Sequence, residues 1–145
     1  MGDADYVPDV LKGMGAAVRF QGAALKPGSP LMLAEKDGTQ FLCLSGNPYA
    51  AAATFELFGR PLLARLAGDA SLQPQKSTGK LARPFAKGSR VPRYLRAKLE
   101  QGLLYVPEGH SSGQMLSMAG CNCLAELPAG DGPFEAGTEL NVTMF

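Results

Sequence analysis

The 145-residue sequence has only one histidine and three cysteines, and each shortage closes off chemistry. His110, in the run Glu108-Gly109-His110-Ser111-Ser112-Gly113, is not partnered with a nucleophile in any recognisable triad pattern, so no catalytic triad is assigned and it reads as a loop residue. Cys43 stands far from Cys121 and Cys123, and an odd count spaced in this way makes no disulfide framework. The pair Cys121 and Cys123 encloses one residue, fewer than a zinc ligand pair needs, and a structural zinc takes four ligands. Three reduced thiols, mostly buried, is the reading. No apolar run approaches the roughly 20 residues that span a bilayer, and Met1 precedes acidic residues where a signal peptide would carry basic ones. The expectation is a cytoplasmic protein with no membrane partner, free of internal repeats and low-complexity tracts. Hydrophobic residues at 46% and charged residues at 19% suffice for a globular core, in one average domain or two small ones.

Acidic residues are missing from one long stretch. None lies between Asp69 and Glu100, where Lys76, Lys80, Arg83, Lys87, Arg90, Arg93, Arg96 and Lys98 supply eight of the 14 basic residues. Such a stretch suits a phosphate-bearing ligand, or a solvated strand pair whose long side chains cover apolar neighbours. Aromatic residues interleave only at Phe85 and Tyr94, and no nucleic-acid motif accompanies them, so a small phosphorylated ligand is preferred and no nucleic-acid partner is expected.

What the sequence does have is turns: 18 Gly and 11 Pro dictate short elements. Val7, Val10 and Leu11 at helical spacing predict a short helix that stops near Gly13 and Gly15. A strand over 16–20 and a hairpin of 31–34 with 40–44 follow, turning at Asp37-Gly38. Gly46-Asn47-Pro48 closes the last strand, with Asn47 as helix N-cap and Pro48 in the first turn. Phe55, Phe58, Leu62 and Leu66 predict an apolar stripe on that helix, which Pro61 should kink or split and Gly68 should end. After a polar linker over 69–78, alternation returns. Cys121, Cys123, Ala125 and Leu127 share one face, and Leu140, Val142 and Met144 share another, the mark of a small closed β module. The tight turn at 46–48 is either a connector between strand and helix or a backbone cradle for an anion, and both readings stand.

Several stretches in order carry a resemblance. They are Gly2-Asp3-Ala4-Asp5-Tyr6-Val7, Leu25-Lys26-Pro27-Gly28-Ser29-Pro30, Leu44-Ser45-Gly46-Asn47-Pro48, Thr54-Phe55-Glu56-Leu57-Phe58 with Arg60-Pro61, Gly113-Gln114-Met115-Leu116-Ser117 and Leu127-Pro128-Ala129-Gly130. Together they resemble the C-terminal part of the molybdopterin molybdotransferase (molybdenum insertase) family, which includes the C-terminal domain of the scaffold gephyrin. The resemblance implies an α/β plus all-β fold. Residues 1–68 would be the C-terminal part of a doubly wound molybdopterin-binding α/β domain, 69–78 a linker and 79–145 a β-barrel domain. Met1 falls inside the first motif, so a C-terminal portion, inactive by itself, is expected.

The family's reaction would be molybdate insertion into adenylylated molybdopterin with release of AMP, assisted by Mg²⁺ in a homodimer. Asp5 matches the family's acidic position and would help hold Mg²⁺ or the pyrophosphate end; a carboxylate suits the hard oxygen coordination of Mg²⁺. Lys26 matches the first lysine of a Lys-Pro-Gly-Lys-Pro loop and would face molybdate or phosphate; Ser29 stands where the second lysine would be. Gly46, Asn47 and Pro48 match a turn beside the pterin-phosphate pocket, with Ser45 in place of a proline. Arg93 and Arg96 fall where the family carries cleft-facing basic residues, and Ser112 and Ser117 fall in its serine region. The departures at Ser29 and Ser45 favour an alternative, a non-catalytic binding or scaffold module of the same family.

Overall fold

A computed structural model describes residues 5–108 and 118–145. Helix α1 (Val7–Gly13) begins with Pro8 in its first turn and ends as predicted before Gly15, whose φ is +77°. Its Leu11 is buried with Met32 and Ala34, next to Ala16, Val18, Phe41 and Cys43. Those residues lie on or beside β1 (Ala17–Gln21), β2 (Met32–Lys36) and β3 (Thr39–Cys43), an antiparallel sheet in that order. Strands β2 and β3 pair Lys36 with Thr39 across Asp37 and Gly38, both at positive φ. That is the two-residue turn whose twist matches paired strands.

Helix α2 (Pro48–Thr54) has the predicted cap: Asn47 Oδ1 accepts from Ala50 N at 3.1 Å. Pro61 splits the helix. A π turn (Phe55–Gly59) separates α2 from α3 (Arg60–Ala67), because proline brings no N–H and its ring crowds the carbonyl four residues earlier. Gly68 then stops α3 in the left-handed region at φ +65°. The buried face is not the predicted stripe. Phe55 and Leu66 are 39% and 60% exposed, while Ala50, Ala53, Thr54 and Ala64 are buried. The wider π turn breaks the helical phase on which the stripe depended.

The polar stretch after Gly68 carries a 3₁₀ turn (Ala70–Leu72) capped by Asp69, and β4 (Lys76–Leu81) begins within it because Lys76–Thr78 pair with Asn141–Thr143. With β5 (Arg93–Glu100), β6 (Leu103–Tyr105), β7 (Cys123–Leu127) and β8 (Glu139–Met144), β4 closes a five-stranded barrel in the order β4-β6-β5-β7-β8. The alternation is realised: Cys123, Ala125, Leu127, Leu140 and Val142 point inward with Leu81, Leu95, Ala97 and Leu104. Leu124 points the other way and is still fully buried, because Tyr49 and Ala53 of α2 cover it. That contact joins the two halves.

Candidate functional site

The loop from Leu25 to Pro30 crosses the joint. Leu25 is buried, and Ser29 Oγ donates to its carbonyl at 2.6 Å, tightening the loop. Gly28 sits at φ +100° so close to α2 that a Cβ there would collide with Thr54 Cγ2. Only glycine satisfies both conditions. Lys26 then lies beside the barrel: its N–H donates to Pro92 O at 3.0 Å and its carbonyl accepts from Tyr94 N at 2.8 Å. This parallel bridge with Arg93 extends β5 at an edge that β6 leaves uncovered, since β6 pairs only with Lys98–Glu100.

Tyr49, in the first turn of α2, occupies the next stretch of that edge. Its hydroxyl donates to Tyr94 O at 2.8 Å and accepts from Arg96 N at 2.9 Å. Burial pushes this phenol up to about 12, so it stays a donor across the working pH range. A cleft of about 130 Å³ opens here, lined by Lys26, Pro27, Tyr49, Arg93, Tyr94, Leu95 and Arg96. Both arginines have aromatic backing: Arg96 Cζ lies 4.3 Å from the Tyr49 ring centre, and Arg93 Cζ 5.6 Å from that of Phe85. Arg96 is 1% exposed.

A larger cavity of about 440 Å³ lies on the sheet side and includes Asp5, Gln21, Ser29, Met32, Cys43 and Leu44 in its wall. Burial first, and then the charge of Asp5, pushes the Cys43 thiol up, so the cavity holds a protonated thiol at neutral pH. Among the described residues no three His, Cys, Asp or Glu side chains gather as a metal site. Asp5 supplies a single carboxylate, which fits Mg²⁺ only where phosphate oxygens and water complete the shell.

The turn at 46–48 is busy with its own chain. Ser45 Oγ accepts from Asn47 N at 3.2 Å, and the Asn47 side chain takes Ala50 N–H. Gly46 has open space around its α-carbon and no left-handed φ, so nothing in the fold itself demands glycine there.

The family model of the "MoeA C-terminal region (domain IV)" matches residues 78–145, and that of a "Probable molybdopterin binding domain" matches residues 1–65. The chain belongs to the molybdopterin molybdotransferase family. It is 35% identical to a molybdopterin molybdenumtransferase of Staphylococcus aureus (strain Mu50) over 148 aligned positions, and 34% identical to that of Staphylococcus epidermidis strain ATCC 12228. In each case the match covers 99% of this chain and 35% of the relative, so the chain spans about a third of their length. A molybdopterin biosynthesis protein from Pyrococcus horikoshii superposes with a TM-score of 0.81 at 26% identity, over 97% of this chain and 35% of that one. A molybdenum cofactor biosynthesis protein from Pyrococcus furiosus shares the fold, with a TM-score of 0.69 at 22% identity, over 88% and 45% of the two chains.

Within this family frame the structure divides the predicted residues. Lys26, Arg93 and Arg96 share the small cleft, whereas Asp5 and Ser29 share the larger cavity. The 46–48 turn follows Leu44, in the wall of the large cavity, and precedes Tyr49, in the wall of the cleft. Ser112 and Ser117 lie outside the described residues. Sequence reasoning missed Tyr49, although an aromatic residue directly after Asn47-Pro48 was the available signal.

Proposed function

We propose that the chain contributes one wall of a site for molybdenum cofactor biosynthesis, at which molybdate is inserted into adenylylated molybdopterin with release of AMP. The observation that supports this reading is the cleft at the joint, to which the first half brings Lys26 and the barrel brings Arg93 and Arg96. Molybdate and phosphate are compact oxyanions. A lysine point charge and two guanidinium forks complement their oxygens, more strongly where water is excluded. Lys26 stands on a loop that Gly28 and Ser29 hold rigid, so little ordering opposes binding. The wider cavity beside it would take the pterin, with Asp5 at the end that bears phosphate. Mg²⁺ bound there would neutralise phosphate charge, and Asp5 would hold it through one carboxylate oxygen. Turnover belongs to a cytoplasmic protein of the relatives' full length, as a homodimer, and this chain by itself would be inactive.

The test is molybdate-dependent AMP release by a full-length family protein carrying this sequence. Lys26→Ala, which removes a charged contact to the anion, and Asp5→Ala, which removes the carboxylate that would hold Mg²⁺, are each expected to slow it about tenfold or more. Near-normal turnover in both would remove the assignment. A second reading, a binding module without catalysis, draws on Ser29, whose hydroxyl is committed to Leu25 O and brings no charge. It predicts dimerisation and peptide binding with no AMP release.

A further inference from the structure

We infer that Tyr49 is a positioning residue for the oxyanion cleft, its ring holding the Arg96 guanidinium in the wall where an anion would meet it. The inference rests on the reading of that cleft given above, and deepens it by naming what orients its buried cation. An arginine with 1% of its surface exposed is expensive to keep charged unless its surroundings answer the charge. The Tyr49 ring face, 4.3 Å from Arg96 Cζ, is one such answer. The same residue holds Arg96 a second time, through the hydroxyl that accepts from Arg96 N. One side chain therefore fixes both the backbone and the head group of this arginine.

Tyr49 is in turn well packed. It is 6% exposed, packed with Ala53 and Leu124, and carried on the turn that Asn47 caps. The neighbouring arginine is held differently. Arg93 is half-buried, 5.6 Å from the Phe85 ring centre, and its backbone is tied to Lys26. The cleft thus combines one buried cation, held at backbone and head group by a single residue, with two that are more exposed. That division suits recognition of one compact anion, with fixed geometry at one wall and accessible charge at its mouth.

The experiment is calorimetric titration of the 145-residue chain with sodium molybdate, alongside the Arg96 Nε–H signal in a nitrogen-15 spectrum. Tyr49→Met fills the space without a ring. It is expected to weaken molybdate binding about tenfold or more, and to move the Arg96 signal downfield as the ring current is lost. Tyr49→Phe keeps the ring, so it should keep the upfield signal and lose less affinity than Tyr49→Met. Val142→Ala, in the barrel interior away from the cleft, should lower stability and leave affinity unchanged, which separates positioning from general loosening. Wild-type affinity in Tyr49→Met while Arg96→Ala binds weakly would overturn the role of Tyr49 and leave the cleft standing. If Tyr49→Met does not fold, a downfield Arg96 signal in Tyr49→Phe overturns it equally. Undiminished binding in both Lys26→Ala and Arg96→Ala would overturn the cleft itself, and the proposed function's site with it.

Discussion

The two halves solve the same problem unequally. Among the described residues, the barrel pairs each of its strands on both sides, and ten buried residues fill its interior. Among the described residues of the first half are a three-stranded sheet, a cluster of three buried residues, and apolar side chains such as Val10, Leu63 and Leu66 that are about half exposed. The sheet's outer strands β1 and β3 pair on one side only, within the described residues. A closed sheet completes its own core, whereas an open one depends on a neighbour. Here the barrel is part of that neighbour, since α2 covers Leu124 and the Lys26 loop extends β5. The candidate site lies where the dependent half leans on the self-sufficient one.

This contrast can be broken by substitution. The largest effect is expected from Leu127→Ala in the barrel, about 2–5 kcal/mol of unfolding free energy by denaturant titration, with Leu11→Ala in the small cluster at the low end of that range. Equal costs would erase the distinction between the cores. Next comes Tyr49→Phe, which leaves Tyr94 O and Arg96 N without the hydroxyl that serves both and should cost about 1–3 kcal/mol. A cost near zero would mean that the joint does not draw on that bridge. Asn47→Ala removes the cap of α2 and should cost about 1 kcal/mol by thermal unfolding.

The smallest effect concerns the larger cavity. Burial, and after it the charge of Asp5, hold the Cys43 thiol up, so Asp5→Asn should lower that pKa in part, raise the thiolate fraction at pH 8 and speed alkylation of Cys43 about twofold. An unchanged rate would separate the two residues. Tyr49 adds no pH dependence between pH 5 and 9: burial raises its pKa from 10 to about 12, so its contribution is fully present below the unfolded value and is lost as pH rises from about 10 through about 12.

Much of this architecture was legible because it is local. Asp37-Gly38 demanded a tight turn, Asn47-Pro48 a helix start, and the period-2 runs ending in Leu127 and Met144 two inward faces. Pro61 announced an interruption but not its form, and the π turn it produced shifted the buried face off Phe55 and Leu66. What the sequence concealed is long-range. The parallel pairing of β4 with β6 and the start of β4 at Lys76 depend on partners far along the chain. The function of Tyr49 depends on an edge of β5 that exists only after the barrel closes. Lys26 and Arg93 were each nominated singly, and their backbone bridge could be seen only in three dimensions.

The most direct test of the central claim, that one anion site is built from both halves, is a double-mutant cycle on molybdate affinity with Lys26→Ala and Arg93→Ala in the same chain. The account predicts that the double variant loses less than the two single losses combined, by about 0.5 kcal/mol or more, because both cations act on one ligand. Strictly additive losses would mean two independent sites, and would contradict it.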